Sequence, residues 1–176
     1  MKESASPGFG TRLRRLPAPA IGVLVGLAIV TAGLAWHLWP QWSSNPDLSH
    51  GYFVPLLFVL LLAESRNGTP RRMGAGIMTQ AGLVLLLAGA VAAVFIAGLY
   101  AATVYWSHAA VGVMLTTGFC LFIVASGLVF SRHDTGLVYF NWQLFAAAGL
   151  WLLAAPLPPG TYSRLTLLLQ LWVSES

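Results

Sequence analysis

With 57% of its 176 residues apolar and only 8% charged, the chain has a mean hydropathy of +0.76. Soluble domains carry about 25% charged residues, so this composition cannot build a water-facing surface, and an all-α, multi-pass membrane protein is expected. The formal charge of +4 gives no reason to expect a nucleic-acid partner, because the basic residues flank apolar runs, where they orient a chain in a lipid bilayer.

Residues 1–19 read as a cytoplasmic basic tail with Lys2, Arg12, Arg14 and Arg15. The rest, 20–176, reads as a single polytopic membrane domain without an internal repeat. The first apolar run, 20–39, is too long for a signal-peptide core, and the bulky residues from Trp36 to Trp42 offer no small-residue cleavage site. It is expected to be a retained helix that ends in a belt of interfacial tryptophans, Trp36, Trp39 and Trp42. Residues 40–49 form a polar connection. The next run, 51–63, is short enough to turn back within the membrane, but the arginines that follow it (Arg66, Arg71 and Arg72) then face away from the basic tail. Positive-inside placement favours a span that begins near Ser49. Further helices are expected over 75–99, 108–130 and 137–155. Pro156, Pro158, Pro159 and Gly160 stop the last of these, and a short apolar segment over 165–173 follows. On this scheme of about five transmembrane helices, eight basic residues lie inside and Arg164 alone outside. The N-terminus is then cytoplasmic, and the 40–49 connection shares the opposite face with the 156–164 segment.

The stretch with most chemical content is Asn45-Pro46-Asp47-Leu48-Ser49-His50-Gly51. Its simplest role is structural: Asn-Pro-Asp makes a turn, and Asp47 or Ser49 caps the second helix. A chemical role is also open, since Pro55 disturbs the turn beside His50 and an interfacial imidazole next to a carboxylate can carry a proton or hold a polar substrate group. Asp47, Ser49 and His50 are therefore candidate substrate-binding residues. Arg164 joins them, either snorkelling to the surface or holding an anionic group there. His37 and His108 read as headgroup-level histidines, and His133 and Asp134 as part of a solvated turn. Cys120 sits in the middle of an apolar helix with no base or cation within a turn to activate it, so it is expected to be inert packing and not a nucleophile. A lone cysteine excludes an internal disulfide. No spacing suggests a metal site, and no phosphate loop, dinucleotide fingerprint or hydrolase elbow is present. No cofactor is expected.

The run N-P-D-L-S-H-G-Y-F-V-P, entered from a tryptophan-rich helix end and followed by S-R-N-G-T-P-R-R, resembles the exosortase/archaeosortase family. The later A-P-L-P-P-G-T-Y-S-R-L-T-L-L-L-Q adds to the resemblance. Its D-x-S-H-G and A-P-x-P elements correspond here to Asp47, Ser49, His50 and Gly51, and to Ala155, Pro156 and Pro158, with Gln170 in the L-Q run. The resemblance implies a cysteine transpeptidase or protease of the bacterial inner membrane. Its substrates would be the C-terminal sorting-signal helices of exported PEP-CTERM-type proteins, and its context exopolysaccharide production. The family's nucleophile lies in a Cys-Ser-Gly-like context after the L-Q run, followed by arginine and histidine, so catalytic residues are expected beyond Ser176. By this reading the chain resembles the N-terminal membrane portion of such an enzyme and is inactive alone. The competing expectation is a non-catalytic multi-pass protein, a transporter subunit or a polysaccharide assembly factor.

Overall fold

A computed structural model describes residues 17–65, 76–131, 138, 140–156, 167, 170–171 and 173. The expectations for Arg66, Arg71, Arg72, Arg132, His133, Asp134, Pro158, Pro159 and Arg164 lie outside these residues. The described chain is helical: α1 (Ala18–Ser44), a 3₁₀ segment (Pro46–Phe53), α2 (Val54–Glu64), α3 (Ile77–Thr103), α4 (Ala109–Phe130) and α5 (Trp142–Ala154). Residues 167, 170, 171 and 173 of the final apolar run are helical and exposed.

Three helices, α1, α3 and α4, are apolar and long enough to cross a membrane. The 22 residues of α4 rise about 33 Å at ~1.5 Å per residue, against a hydrocarbon core of ~30 Å. The 13 residues of α5 reach only about 20 Å. Between these cases, the eight-residue 3₁₀ segment and the 11 residues of α2 run on without a break. At ~2.0 and ~1.5 Å per residue they cover roughly 32 Å together.

Several boundaries differ from the sequence expectation, each for a local reason. α1 passes through Pro40 and ends at Ser44 instead of Trp39. Proline removes one backbone donor, but the added turn carries Trp42 onto the helix's buried stripe, Leu27, Leu34, Leu38 and Trp42, spaced at multiples of a helical turn. Trp42 is 2% exposed while Trp36 is 83% exposed, so the three tryptophans do not form one interfacial belt. The second helix begins as a 3₁₀ segment at Pro46, upstream of Ser49. Conversion to α-helix at Val54 leaves Pro55 in the first α-turn, where a missing N–H costs nothing. The residue at the N-cap of α2 is Phe53, which makes no side-chain cap bond. Ser49 lies a full turn upstream of it and is exposed. At the other end of the bundle α5 starts at Trp142. Its cap is Asn141, whose Oδ1 accepts from the Leu144 amide at 3.3 Å and whose Nδ2 donates to the Ser65 carbonyl at 2.8 Å.

α4 is the central element, packed against α3, α5 and α1, while α2 packs on α5. The core is largest where Phe58 of α2, Phe119 of α4 and Trp151 of α5 meet edge-to-face or tilted, with ring centroids 5.0–6.3 Å apart. Glycines set the closest approaches. A Cβ on Gly127 would overlap Leu144 of α5, and one on Gly118 would come within 3.1 Å of the Ala90 carbonyl of α3. Such small-residue contacts let apolar helices associate where lipid offers no hydrophobic drive between them.

Candidate functional site

The candidate residues of the 3₁₀ segment lie at one end of the bundle, beside the C-terminus of α5. The last four carbonyls of any helix have no intrahelical donor, and in apolar surroundings an unmet carbonyl is costly. Two of those of α5 are met by side chains more than a hundred positions away in sequence. The Trp42 indole Nε1 donates to the Ala154 carbonyl at 2.9 Å, and His50 Nε2 lies 3.0 Å from the Leu153 carbonyl. A carbonyl can only accept, so this contact places the proton of His50 on Nε2. A helix C-terminus also favours a donor or cation.

Gly51 makes this arrangement possible. A Cβ there would land inside the Trp42 indole, so the ring lies flat against the 3₁₀ backbone only because residue 51 has no side chain. Leu48 is buried beneath the segment, and Tyr52 meets Trp39 and Trp42 edge-on at 4.8 and 6.0 Å. On the far side Pro156 packs over Gly112 of α4, where a Cβ would approach its ring to 2.9 Å. The Ser-His-Gly and Ala-Pro elements are thus brought side by side, joined by Trp42, His50, Ala154 and the adjoining Ala155 and Pro156. Asp47 lies in the first turn of the 3₁₀ segment. Ser49 and His50 are exposed at the bundle end. Arg164 lies outside the described residues.

The other sequence-flagged residues sit elsewhere. Cys120 is buried in α4, and its thiol donates to the Ala148 carbonyl of α5 at 2.9 Å. It is far along the helix from the His50 end, with no described imidazole or cation against it. His108 has a more definite role than a headgroup-level histidine. It is the N-cap of α4, its Nδ1 accepting from the Ala110 amide at 3.2 Å, and its ring stacks edge-on against Tyr100 and Tyr105. The sequence gives a weak hint of this, since His108 directly precedes a long apolar run. Trp42 is the residue of the candidate site that sequence reasoning missed. Its i+4 spacing from Leu38 was the available signal, masked by Pro40 between them. Among the described residues no three His, Cys, Asp or Glu side chains cluster as a metal site would need.

These features define a class: an all-helical bundle whose apolar helices are long enough to cross a membrane, with a polar crosslink between two chain-distant segments at one end. Compared with known protein families, curated proteins and solved structures, the chain matches none.

Proposed function

We propose that this chain is the membrane-embedded portion of an exosortase-like cysteine transpeptidase or protease, and that the junction around His50 faces its substrate, the C-terminal sorting helix of an exported protein. The observation that carries the reading is the pairing of the two sequence elements on which the resemblance rests. His50 of D-x-S-H-G and Trp42 just before it hold the last two carbonyls before Ala155-Pro156. The chain's one cysteine bonds a backbone carbonyl inside the bundle, and the resemblance assigns the nucleophile's role to a Cys-Ser-Gly-like context instead of to Cys120.

The same reading threads the chain five times through a bacterial inner membrane, with the 3₁₀–α2 segment and α5 as its shorter passes. Gln41 donating to the Ser107 carbonyl at 3.3 Å and His50 at Leu153 belong to one end. Asn141 at Ser65 belongs to the other, and Arg66, Arg71 and Arg72 follow Ser65 in the sequence as Arg132 follows Ser131. Positive-inside placement makes that second end cytoplasmic and the His50 junction external.

The test is cleavage of a reporter ending in a PEP-CTERM-type signal. This chain should leave the reporter intact when expressed alone. Joined to a segment bearing the Cys-Ser-Gly, arginine and histidine elements, it should process the reporter, and His50→Gln should then reduce processing. Failure of the joined protein to act on any such signal would sink the enzyme assignment. Protection of an introduced Ser49→Cys from impermeant thiol reagent outside intact cells would sink the orientation. One observation favours the second reading, a non-catalytic multi-pass protein: His50 Nε2 is already engaged by the Leu153 carbonyl, which is a sufficient structural role.

A further inference from the structure

α1 and α3 both lie on α4 yet have little contact with each other, and the space between them is empty. It forms two cavities laid end to end. One, of about 760 Å³, is walled by residues such as Gly33 and His37 of α1, Val94 of α3 and Leu115 of α4. The other, of about 370 Å³, lies toward the opposite end, between Ala20, Leu87 and Ser126. Phe122 is in the wall of both, where one gives way to the other.

The larger cavity is apolar except at one end. There His37 lines the cavity, and Gln41 lies one turn further along α1, beyond the lining residues; His37 Nε2 and Gln41 Oε1 are both shielded from solvent and have no hydrogen-bond partner. The orientation of Gln41 is fixed, because its Nε2 donates to the Ser107 carbonyl and a flipped amide would set oxygen against oxygen. Its Oε1 therefore lacks a donor. A buried polar atom without a partner is costly, so the site is complementary to a group that brings N–H or O–H to this point. The exposed rings of Trp39, Tyr105 and Trp106 stand at the same bundle end, and amphipathic aromatics collect at headgroup depth.

We propose that this cavity binds one hydrocarbon chain of a bilayer phospholipid whose headgroup donates hydrogen bonds, of the ethanolamine or glycerol type, with the head at His37 and Gln41. Its depth selects a lipid chain over a protein helix. From His37 to Ile29 α1 rises about 12 Å, close to one leaflet of a ~30 Å core, and Phe122 stands in the wall where the smaller cavity begins. A transmembrane helix would need the whole length and a width of about 10 Å. The site rests on the membrane embedding proposed above but not on the enzyme assignment.

The test uses the full chain in phosphatidylcholine nanodiscs containing a little phosphatidylethanolamine that carries a photoreactive group midway along one acyl chain. Adducts should concentrate on residues 29–37, 90–95 and 115–122. Unlabelled phosphatidylethanolamine should compete and phosphatidylcholine should not. Gly33→Leu fills the groove from a position where a Cβ meets nothing within 4 Å, so it should remove the adducts without disturbing the fold. His37→Ala with Gln41→Leu should leave chain labelling but lower the preference for ethanolamine over choline by about tenfold, the value of one or two hydrogen bonds. Adducts spread evenly over the exposed faces of α2 and α3, or equal competition by both lipids, would overturn the site alone. Disulfide-linked dimers from Gly33→Cys in place of lipid adducts would assign the groove to a second copy. Absence of adducts on any helix would sink the membrane embedding as well.

Discussion

The α3–α4 interface and the junction of the 3₁₀ segment with α5 are both tight contacts between segments, held by opposite means. Along α3 and α4 the partners are small: Ala90, Ala97 and Ala101 are buried, and Gly118 lies beneath the Ala90 carbonyl. Three threonines of these helices, Thr103, Thr116 and Thr117, bond within their own helices. At the junction the partners are large and polar, and Trp42 and His50 reach across to helix-end carbonyls. The difference follows from where each contact falls along a helix. In mid-helix every backbone group is already satisfied and only packing remains to be gained. At a helix end the free carbonyls require donors, and a segment that supplies them becomes tied to that end.

Substitutions can break this contrast at several strengths. The largest effect is expected from Gly51→Leu, which forces the Trp42 ring out of its seat. It should cost about 3 kcal/mol or more, read as loss of the folded fraction in thermal unfolding of the detergent-solubilised protein. Trp42→Phe keeps most of the packing but leaves the Ala154 carbonyl without its donor, so it should cost about 2 kcal/mol in the same assay. In the packed interface, Gly118→Ala should cost roughly 1–2 kcal/mol because the methyl meets backbone that cannot yield. The matched change Gly33→Ala, into open space, should stay within about 0.5 kcal/mol of wild type or stabilise slightly. His50→Ala at its exposed position should cost only about 0.5 kcal/mol, with Gln restoring it. An effect of His50→Ala on reporter processing far larger than that would separate a substrate role from a capping one. Smallest of all, Cys120→Ala should leave any processing by the joined protein unchanged, and the native thiol should resist alkylation until the bundle unfolds, as mass spectrometry after reagent treatment would show.

Much of the helix pattern was legible because apolar runs and their breaks are local properties. The 108–130 run became Ala109–Phe130. Errors fell where a residue's meaning depends on its neighbours in space. Pro40 and the polar residues after it read as the end of α1, yet the helix continues because Trp42 gains a buried seat against Gly51 and the end of α5. Asn141 was passed over inside an apolar stretch, although it caps α5 and ties it to Ser65. Within the candidate site, the chemistry of His50 and the need for Gly51 could be suspected from the run itself, but their partners Leu153 and Ala154 carry no side-chain signal.

By itself the sequence determined that this chain forms apolar helices long enough for a membrane, because charge content and run length are sums over residues and do not depend on how they pack. Only the tertiary structure decided that two segments over a hundred residues apart share one end, that an indole and an imidazole complete the last turn of α5, and that α1 and α3 stand apart over α4. These outcomes depend on which backbone groups are left unsatisfied and which side chains come within reach, and that is fixed only when the helices meet.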